Sequence, residues 1–184
     1  MDDTTAKVRT FPDRRKLIAA MPKNAICAEI GVHVGKFSDK ILNLANPKKL
    51  HLIDCWSLSE DPTPHITMVS ERMWEAAYDD VVERYQNEER VEINRGMSNE
   101  VLPTFPDDYF DWVYVDANHG YLSALEDLQN SYQKVKDRGF ILGHDMNLPG
   151  VRRAVYEMMN SRQCEMAYCT REQPYFSYGL RVLK

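Results

Sequence analysis

Carboxylate and imidazole side chains follow the short apolar segments of this chain, at the point where each segment ends. These side chains are Glu29, His33, Asp54, Asp116, His119, His144 and Asp145. A histidine titrates near neutral pH, so it can take the proton of a hydroxyl group. Two carboxylates held close together either share a metal ion or need another positive charge beside them. Such groups predict a catalytic or ligand-binding site, provided that the fold brings the ends of the segments together.

A loop with two glycines follows the first of these segments, residues 25–30. Its spacing is Gly31-x-x-x-Gly35, which differs from the Gly-x-Gly-x-x-Gly of dinucleotide-binding folds. Glycine lets a backbone come close to a ligand, although a plain turn uses glycine as well. Asp54 lies 19 residues beyond Gly35, where an acidic residue accepts hydrogen bonds from the ribose of a nucleotide-like cofactor. We expect the loop and Asp54 to bind a cofactor, and the alternative for Asp54 is a solvated turn.

Apolar strands alternate with amphipathic helices along the chain. The predicted strands are 25–30, 50–55, 91–94, 111–116, 140–145, 165–169 and 178–183. The predicted helices are 13–21, one that follows Gly35, 67–89, 97–102, one from Tyr121, and 151–161. Nearly continuous apolar strands with helices between them favour a mostly parallel sheet that is covered on both faces. No helix separates the last two strands, which predicts an antiparallel pair.

These elements predict the α/β class, with a Rossmann-like three-layer α/β/α sandwich. Its sheet is expected to be mostly parallel and seven-stranded, with an antiparallel C-terminal strand. We expect residues 1–184 to form a single domain, with residues 1–10 flexible. In such sheets, ligands bind beyond the carboxyl ends of the strands, which is where the acidic and imidazole groups lie.

The composition favours a globular cytoplasmic protein. The net charge is −5 and no long run of Lys or Arg exists, so we expect no nucleic-acid partner. No signal peptide and no apolar stretch of roughly 20 residues is found, so we expect no membrane partner. The four cysteines form no Cys-x-x-Cys pair, which indicates free thiols in a reducing compartment. A homo-oligomer remains possible on this evidence.

Four segments together resemble a known enzyme family. They are Glu29-x-Gly31-x-x-x-Gly35, Ile53-Asp54-Cys55-Trp56, the run 111–121 with Asp116-x-x-His119-x-Tyr121, and the run 138–145 that ends in His144-Asp145. The chain resembles class I S-adenosylmethionine (SAM)-dependent methyltransferases, in particular the small-molecule and sugar O-methyltransferases. The resemblance spans about residues 22–183. One departure is Arg138-Gly139, where the family usually has two glycines.

The resemblance implies that SAM is bound along the strand ends. Its amino-acid end would contact the first loop, its ribose would contact Asp54, and its adenine would contact the segment 97–98. The alternative for Ser98 is to cap a helix. Trp56 would cover the cofactor, line the acceptor pocket or only pack against neighbouring side chains. The expected cofactor-binding residues are Glu29, Gly31, His33, Gly35, Asp54, Trp56, Met97, Ser98 and Asp116.

Methyl transfer to a hydroxyl group of a small molecule is the predicted reaction, with His119, His144 and Asp116 as the catalytic residues. Either histidine is a candidate base, and the alternative for each is a helix-capping role. Asp116 and Asp145 are the candidate ligands for a divalent cation such as Mg²⁺ or Mn²⁺, and a protonated His144 is the other way to relieve their repulsion. The alternative function is a catalytically silent SAM-binding partner or sensor subunit.

Overall fold

The computed structural model of the protein describes residues 8–57, 71–161 and 163–184. The strands are β1 (Arg9–Phe11), β2 (Ile26–Ile30), β3 (Lys49–Asp54), β4 (Val91–Arg95), β5 (Phe110–Val115), β6 (Val135–Gly143), β7 (Cys164–Thr170) and β8 (Tyr178–Val182). The helices are α1 (Arg14–Ala19), α2 (Lys36–Ala45), α3 (Glu71–Tyr85), α4 (Ser98–Val101), α5 (Tyr121–Lys134) and α6 (Pro149–Asn160). A 3₁₀ turn, Leu102–Thr104, follows α4.

The eight described strands form one sheet in the order β1-β7-β8-β6-β5-β2-β3-β4. β8 runs antiparallel to both of its neighbours, whereas all other pairings are parallel. The predicted fold class is confirmed, including the antiparallel C-terminal strand. The chain leaves β2 toward β3 on one side and later returns beside β2 as β5. This reversal creates a crevice at the carboxyl ends of β2 and β5, where ligands bind in open α/β sheets.

Seven strands were predicted, and the eighth is β1. It lies in a segment that the sequence predicted to be flexible. That prediction was wrong for residues 9 and 10. Phe11 is buried, and its ring lies 5.7 Å from the ring of Tyr168 in an edge-on contact. β1 pairs with β7, and burial of the aromatic ring helps to offset the entropy lost when this short segment is ordered. Residues 1–7 lie outside the described residues.

Helices cover both faces of the sheet, as the continuous apolar strands require. One face packs against α1, α2 and α3 through side chains such as Leu17, Ile41 and Val81. The other face packs against α5 and α6 through side chains such as Leu128 and Val155. The two apolar clusters hold the strand ends in place, and so position the polar residues that follow them. None of the described helices has the length and apolarity that crossing a bilayer requires.

Two element boundaries differ from the sequence prediction. β6 begins at Val135 and contains Arg138-Gly139, which were expected to form a turn before the strand. α5 runs directly into β6, and a bulge in the pairing with β5 absorbs the irregularity. α3 is shorter than the predicted helix 67–89, and the part at 67–70 lies outside the described residues.

Candidate active site

A cavity of about 430 Å³ lies at the carboxyl ends of the central strands, in the size range of small-molecule sites. It brings together eight of the predicted site residues: Gly31, His33, Asp54, Met97, Ser98, Asp116, His119 and Asp145. The other four, Glu29, Gly35, Trp56 and His144, lie outside its wall. Segments far apart in the chain thus meet at one edge of the sheet, as the strand order dictates.

Gly31 lies where β2 and β5 come closest beyond their ends. Its N–H donates to the carbonyl of Ile53 at 2.9 Å, and the N–H of Asp116 donates to the carbonyl of Ile30 at 2.8 Å. Gly31 has φ +88°, and a Cβ at this position would lie 2.1 Å from the carbonyl oxygen of Asp116. Only glycine fits, so the floor of the cavity is bare backbone that a ligand can approach closely.

Asp54 holds the first loop in place. Its Oδ2 accepts hydrogen bonds from the backbone N–H groups of Val32 at 2.7 Å and His33 at 2.9 Å. Its Oδ1 accepts one from the N–H of Trp56 at 2.8 Å. A carboxylate offers about four acceptor sites, so these three bonds leave capacity for a ligand hydroxyl. Asp54 therefore orders the loop and still faces the cavity.

Glu29, Gly35 and Trp56 support the loop from beneath. Glu29 is buried and accepts a hydrogen bond from the Ser38 hydroxyl, and burial raises the pKa of Glu29 well above its usual range. Gly35 begins α2 in the left-handed region, with φ +71°, and packs against α3. Trp56 is buried and its indole N–H donates to the carbonyl of His33 at 2.7 Å. Trp56 thus packs in this structure, which was one of the three alternatives, and its contact with the cofactor stays a prediction.

The segment after β4 forms the other end of the cavity. Met97 is the N-cap of α4 and is half-exposed, whereas Ser98 is the first helical residue. The Ser98 hydroxyl donates to the carboxylate of Asp127 on α5, so the alternative of a helix cap is not observed. Asp127 is buried and also lines the cavity.

Asp116, His119, His144 and Asp145 form a group that we call the His–Asp cluster. Oδ2 of Asp145 lies 2.9 Å from Nε2 of His119 and 3.1 Å from Nδ1 of His144. Nδ1 of His144 is also 3.7 Å from Oδ1 of Asp116. Asp145 has φ +59°, a left-handed conformation that Asp tolerates and that turns the chain sharply after β6. The cluster thus joins the ends of β5 and β6.

The cluster contains two carboxylates whose pKa values shift in opposite directions. Burial acts to raise the pKa of Asp145, but hydrogen bonds from His119 and His144 outweigh it and hold that pKa well below its usual range. Burial raises the pKa of Asp116, against the opposing charges of His144 and Arg14. Nη1 of Arg14 lies 3.0 Å from Oδ2 of Asp116, and the guanidinium stacks on the ring of Phe37. Arg14 therefore supplies a cation to Asp116, and the two imidazoles supply hydrogen-bond donors to Asp145.

A divalent metal ion fits these residues poorly. Asp116, His144 and Asp145 each offer a ligand atom, and the three atoms lie within 4.8 Å of one another. However, Nδ1 of His144 points at Asp145 as a hydrogen-bond donor, and a metal would require its lone pair instead. A metal would also lie beside the guanidinium of Arg14. The arrangement favours stabilisation of the two carboxylates by Arg14 and the imidazole N–H groups, and the metal site stays a prediction.

Three residues of the site were not assigned a role from the sequence. Arg14 reaches Asp116 across 102 positions of the chain, and no local pattern signals such a contact. Asp127 reads as one polar residue of an amphipathic helix, and only its burial distinguishes it. Trp74 lines the cavity, and its indole N–H is buried with no hydrogen-bond partner among the described residues. An orphaned donor at a cavity wall is what a polar ligand would satisfy.

Three solved structures with the same fold are distant from this chain in sequence. A putative methyltransferase from Streptococcus mutans in complex with SAH has a TM-score of 0.65 at 10% identity, covering 92% of this chain and 96% of that one. The O-methyltransferase NovP has a TM-score of 0.65 at 19% identity, covering 93% and 80%. An rRNA methylase from Streptococcus thermophilus has a TM-score of 0.63 at 13% identity, covering 93% of this chain and 95% of that one. These likenesses confirm the fold, and they give no support to the predicted exclusion of nucleic acid.

Curated protein sequences show no significant match to this chain. A family model does match, over residues 28–146, and its description is a methyltransferase domain. The matched range runs from β2 to the residue after Asp145, so it contains every part of the cavity wall described above. This match confirms the resemblance inferred from the sequence and supports SAM as the cofactor. The chain belongs to the methyltransferase domain family.

Proposed function

We propose that this protein transfers the methyl group of SAM to a hydroxyl oxygen of a small molecule. The observation that carries the proposal is the His–Asp cluster, which reaches the cavity wall through Asp116, His119 and Asp145 and extends beyond it through His144. A base beside a cofactor cavity, and not inside it, suits an acceptor that approaches the cofactor from outside. The likeness to an O-methyltransferase supports the same reaction type.

The cavity offers groups that suit each part of SAM. The bare backbone at Gly31 suits the amino-acid end, and Asp54 suits the ribose hydroxyls. The segment at Met97 and Ser98 suits the adenine. When bound, SAM supplies a methyl group that is already activated on a sulfonium. The chain therefore has to align the acceptor oxygen, and such positioning contributes up to roughly 7–11 kcal/mol in favourable cases.

His144 is the residue that we assign as the general base. Its Nδ1 donates to Asp145, so the other ring nitrogen, Nε2, carries the lone pair that accepts the hydroxyl proton. Asp145 holds the ring in this tautomer and stabilises the imidazolium that forms. His119 donates to the same carboxylate oxygen and acts as a positioning residue for Asp145. The Arg14–Asp116 pair keeps Asp116 in place beside the imidazole of His144.

The test combines binding and turnover. Calorimetry with SAM and S-adenosylhomocysteine (SAH) is expected to show binding to the wild type. A panel of hydroxylated metabolites, with a structured RNA as a separate arm, is then screened for methyl transfer. Methylation of a hydroxyl in a small molecule is the expected result. Methylation of the RNA alone would overturn the acceptor class. Binding without turnover on any arm would favour the silent partner or sensor.

A further inference from the structure

A buried carboxylate that is not part of the His–Asp cluster also lines the cavity. Asp127 projects from α5, is 4% exposed and lines the cavity together with Met97 and Ser98. α5 packs on the sheet through apolar side chains such as Ala124 and Leu128, and this packing buries Asp127. Burying a charged group without partners is costly, so this carboxylate requires hydrogen-bond donors.

The protein supplies Asp127 with one donor. Oδ1 accepts from the Ser98 hydroxyl, whereas Oδ2 has no partner among the described residues. The neighbouring Glu126 carries the same sign of charge, and its own oxygens face the amide of Asn99. One acceptor oxygen of a buried carboxylate is therefore left for a donor that comes from outside the described chain.

The charge of Asp127 defines what that donor must be. Burial raises its pKa to about 6 while the Ser98 hydrogen bond lowers it, so the group is ionised at pH 7.5 and above. An ionised carboxylate only accepts hydrogen bonds. Among purines, an amino group at position 6 donates a hydrogen bond, and a carbonyl at that position does not. A carbonyl would instead place two acceptors opposite each other.

We propose that Asp127, positioned by Ser98, accepts a hydrogen bond from the 6-amino group of the cofactor's adenine and thereby rejects cofactors with a 6-carbonyl purine. The inference rests on the proposed function, since it takes SAM as the ligand of this cavity. It assigns base specificity to a side chain of α5, which lies outside the loops that follow β2, β3 and β4.

The experiment compares SAH with S-inosylhomocysteine, in which a carbonyl replaces the amino group. Calorimetry at pH 8 is expected to show that the wild type binds SAH at least about 30-fold more tightly, because an unmatched buried carboxylate is strongly unfavourable. In Asp127→Asn, the amide oxygen still accepts from Ser98 and the amide nitrogen faces the cavity. That nitrogen donates to a carbonyl, so the preference is expected to shrink to under about 3-fold or to invert.

Glu126→Gln is the matched control, since it neutralises the adjacent carboxylate on the same helix. It is expected to keep the wild-type preference. An unchanged preference in Asp127→Asn would overturn the inference, and so would a loss of preference in Glu126→Gln alone. If Asp127→Asn does not fold, Ser98→Ala provides the second test and is expected to weaken the preference. Wild-type protein that binds neither compound would instead overturn the proposed function.

Discussion

Asp127 and Asp145 line the same cavity, and both are buried carboxylates. Their pKa values nevertheless shift in opposite directions. Asp127 has a single neutral partner, the Ser98 hydroxyl, and burial raises its pKa to about 6. Asp145 accepts from two imidazoles, and these hold its pKa well below the usual range. Burial alone therefore does not decide the charge of a carboxylate, because the partners that the fold supplies decide it.

The difference separates two tasks within one site. An under-paired carboxylate such as Asp127 is ready to take a donor from a ligand, so it suits recognition. A carboxylate that is fully paired with imidazoles, such as Asp145, holds rings and protons in place, so it suits catalysis. Changes at one of these carboxylates or its partners therefore leave the other carboxylate as an internal reference.

The largest expected effect is on turnover, from His144→Gln. Removing a general base lowers the rate by roughly 10²–10⁴-fold, whereas SAH affinity should change by less than about 2-fold because His144 lies outside the cavity wall. Steady-state kinetics and calorimetry measure the two quantities. His119→Gln is the matched control and should lose far less, about 10-fold, since His119 acts through Asp145. A larger loss in His119→Gln would transfer the role of the base to His119.

Asp145→Asn should destabilise the fold by about 2–3 kcal/mol at pH 7, because it replaces a carboxylate that two imidazoles hold. Asn tolerates the left-handed backbone of this position, so backbone strain does not contribute. A carboxylate with a depressed pKa stabilises the folded state above the unfolded pKa near 4, and this contribution is lost as the pH falls further. Urea unfolding should show that the difference in unfolding free energy between wild type and Asp145→Asn is smaller at pH 3.5 than at pH 7. A difference that stays constant with pH would contradict the ionic pairing.

Asp127→Asn should change stability with the opposite dependence on pH. The raised pKa means that ionisation of Asp127 destabilises the folded state, with no cost below pH 4 and the full cost above pH 6. Between pH 4 and pH 7, the free energy of unfolding of Asp127→Asn should therefore rise by about 1–2 kcal/mol relative to the wild type. Urea unfolding at the two pH values measures this change. A variant whose relative stability falls over this range would show that Asp127 has a positively charged partner.

The smallest expected effect is that of chelation. Arg14 already pairs with Asp116, and His119 and His144 already contact the carboxylate of Asp145. Exhaustive dialysis against EDTA should therefore change methyl transfer by less than about 2-fold, and added Mg²⁺ or Mn²⁺ should not raise it. Loss of activity on dialysis with recovery on adding Mg²⁺ would show that His144 turns its lone pair toward a metal.

Much of the site was predictable because strand ends are marked locally. The glycines at 31 and 35, Asp54 and the pair His144-Asp145 each follow an apolar strand, and parallel strands bring such ends to one edge. Misjudged features have the opposite character. β1 depends on the ring of Tyr168 far along the chain, and the start of β6 at Val135 depends on its pairing with β5.

The sequence by itself determined the fold class, the edge of the sheet at which the site lies, and the residue types available there. It did so because hydrophobic periodicity and glycine spacing act over a few residues. Only the tertiary structure decided the pairing: Arg14 with Asp116, both histidines with Asp145, and Ser98 with Asp127. These contacts set the charge of each carboxylate. They depend on distances between strands and helices that no local pattern encodes.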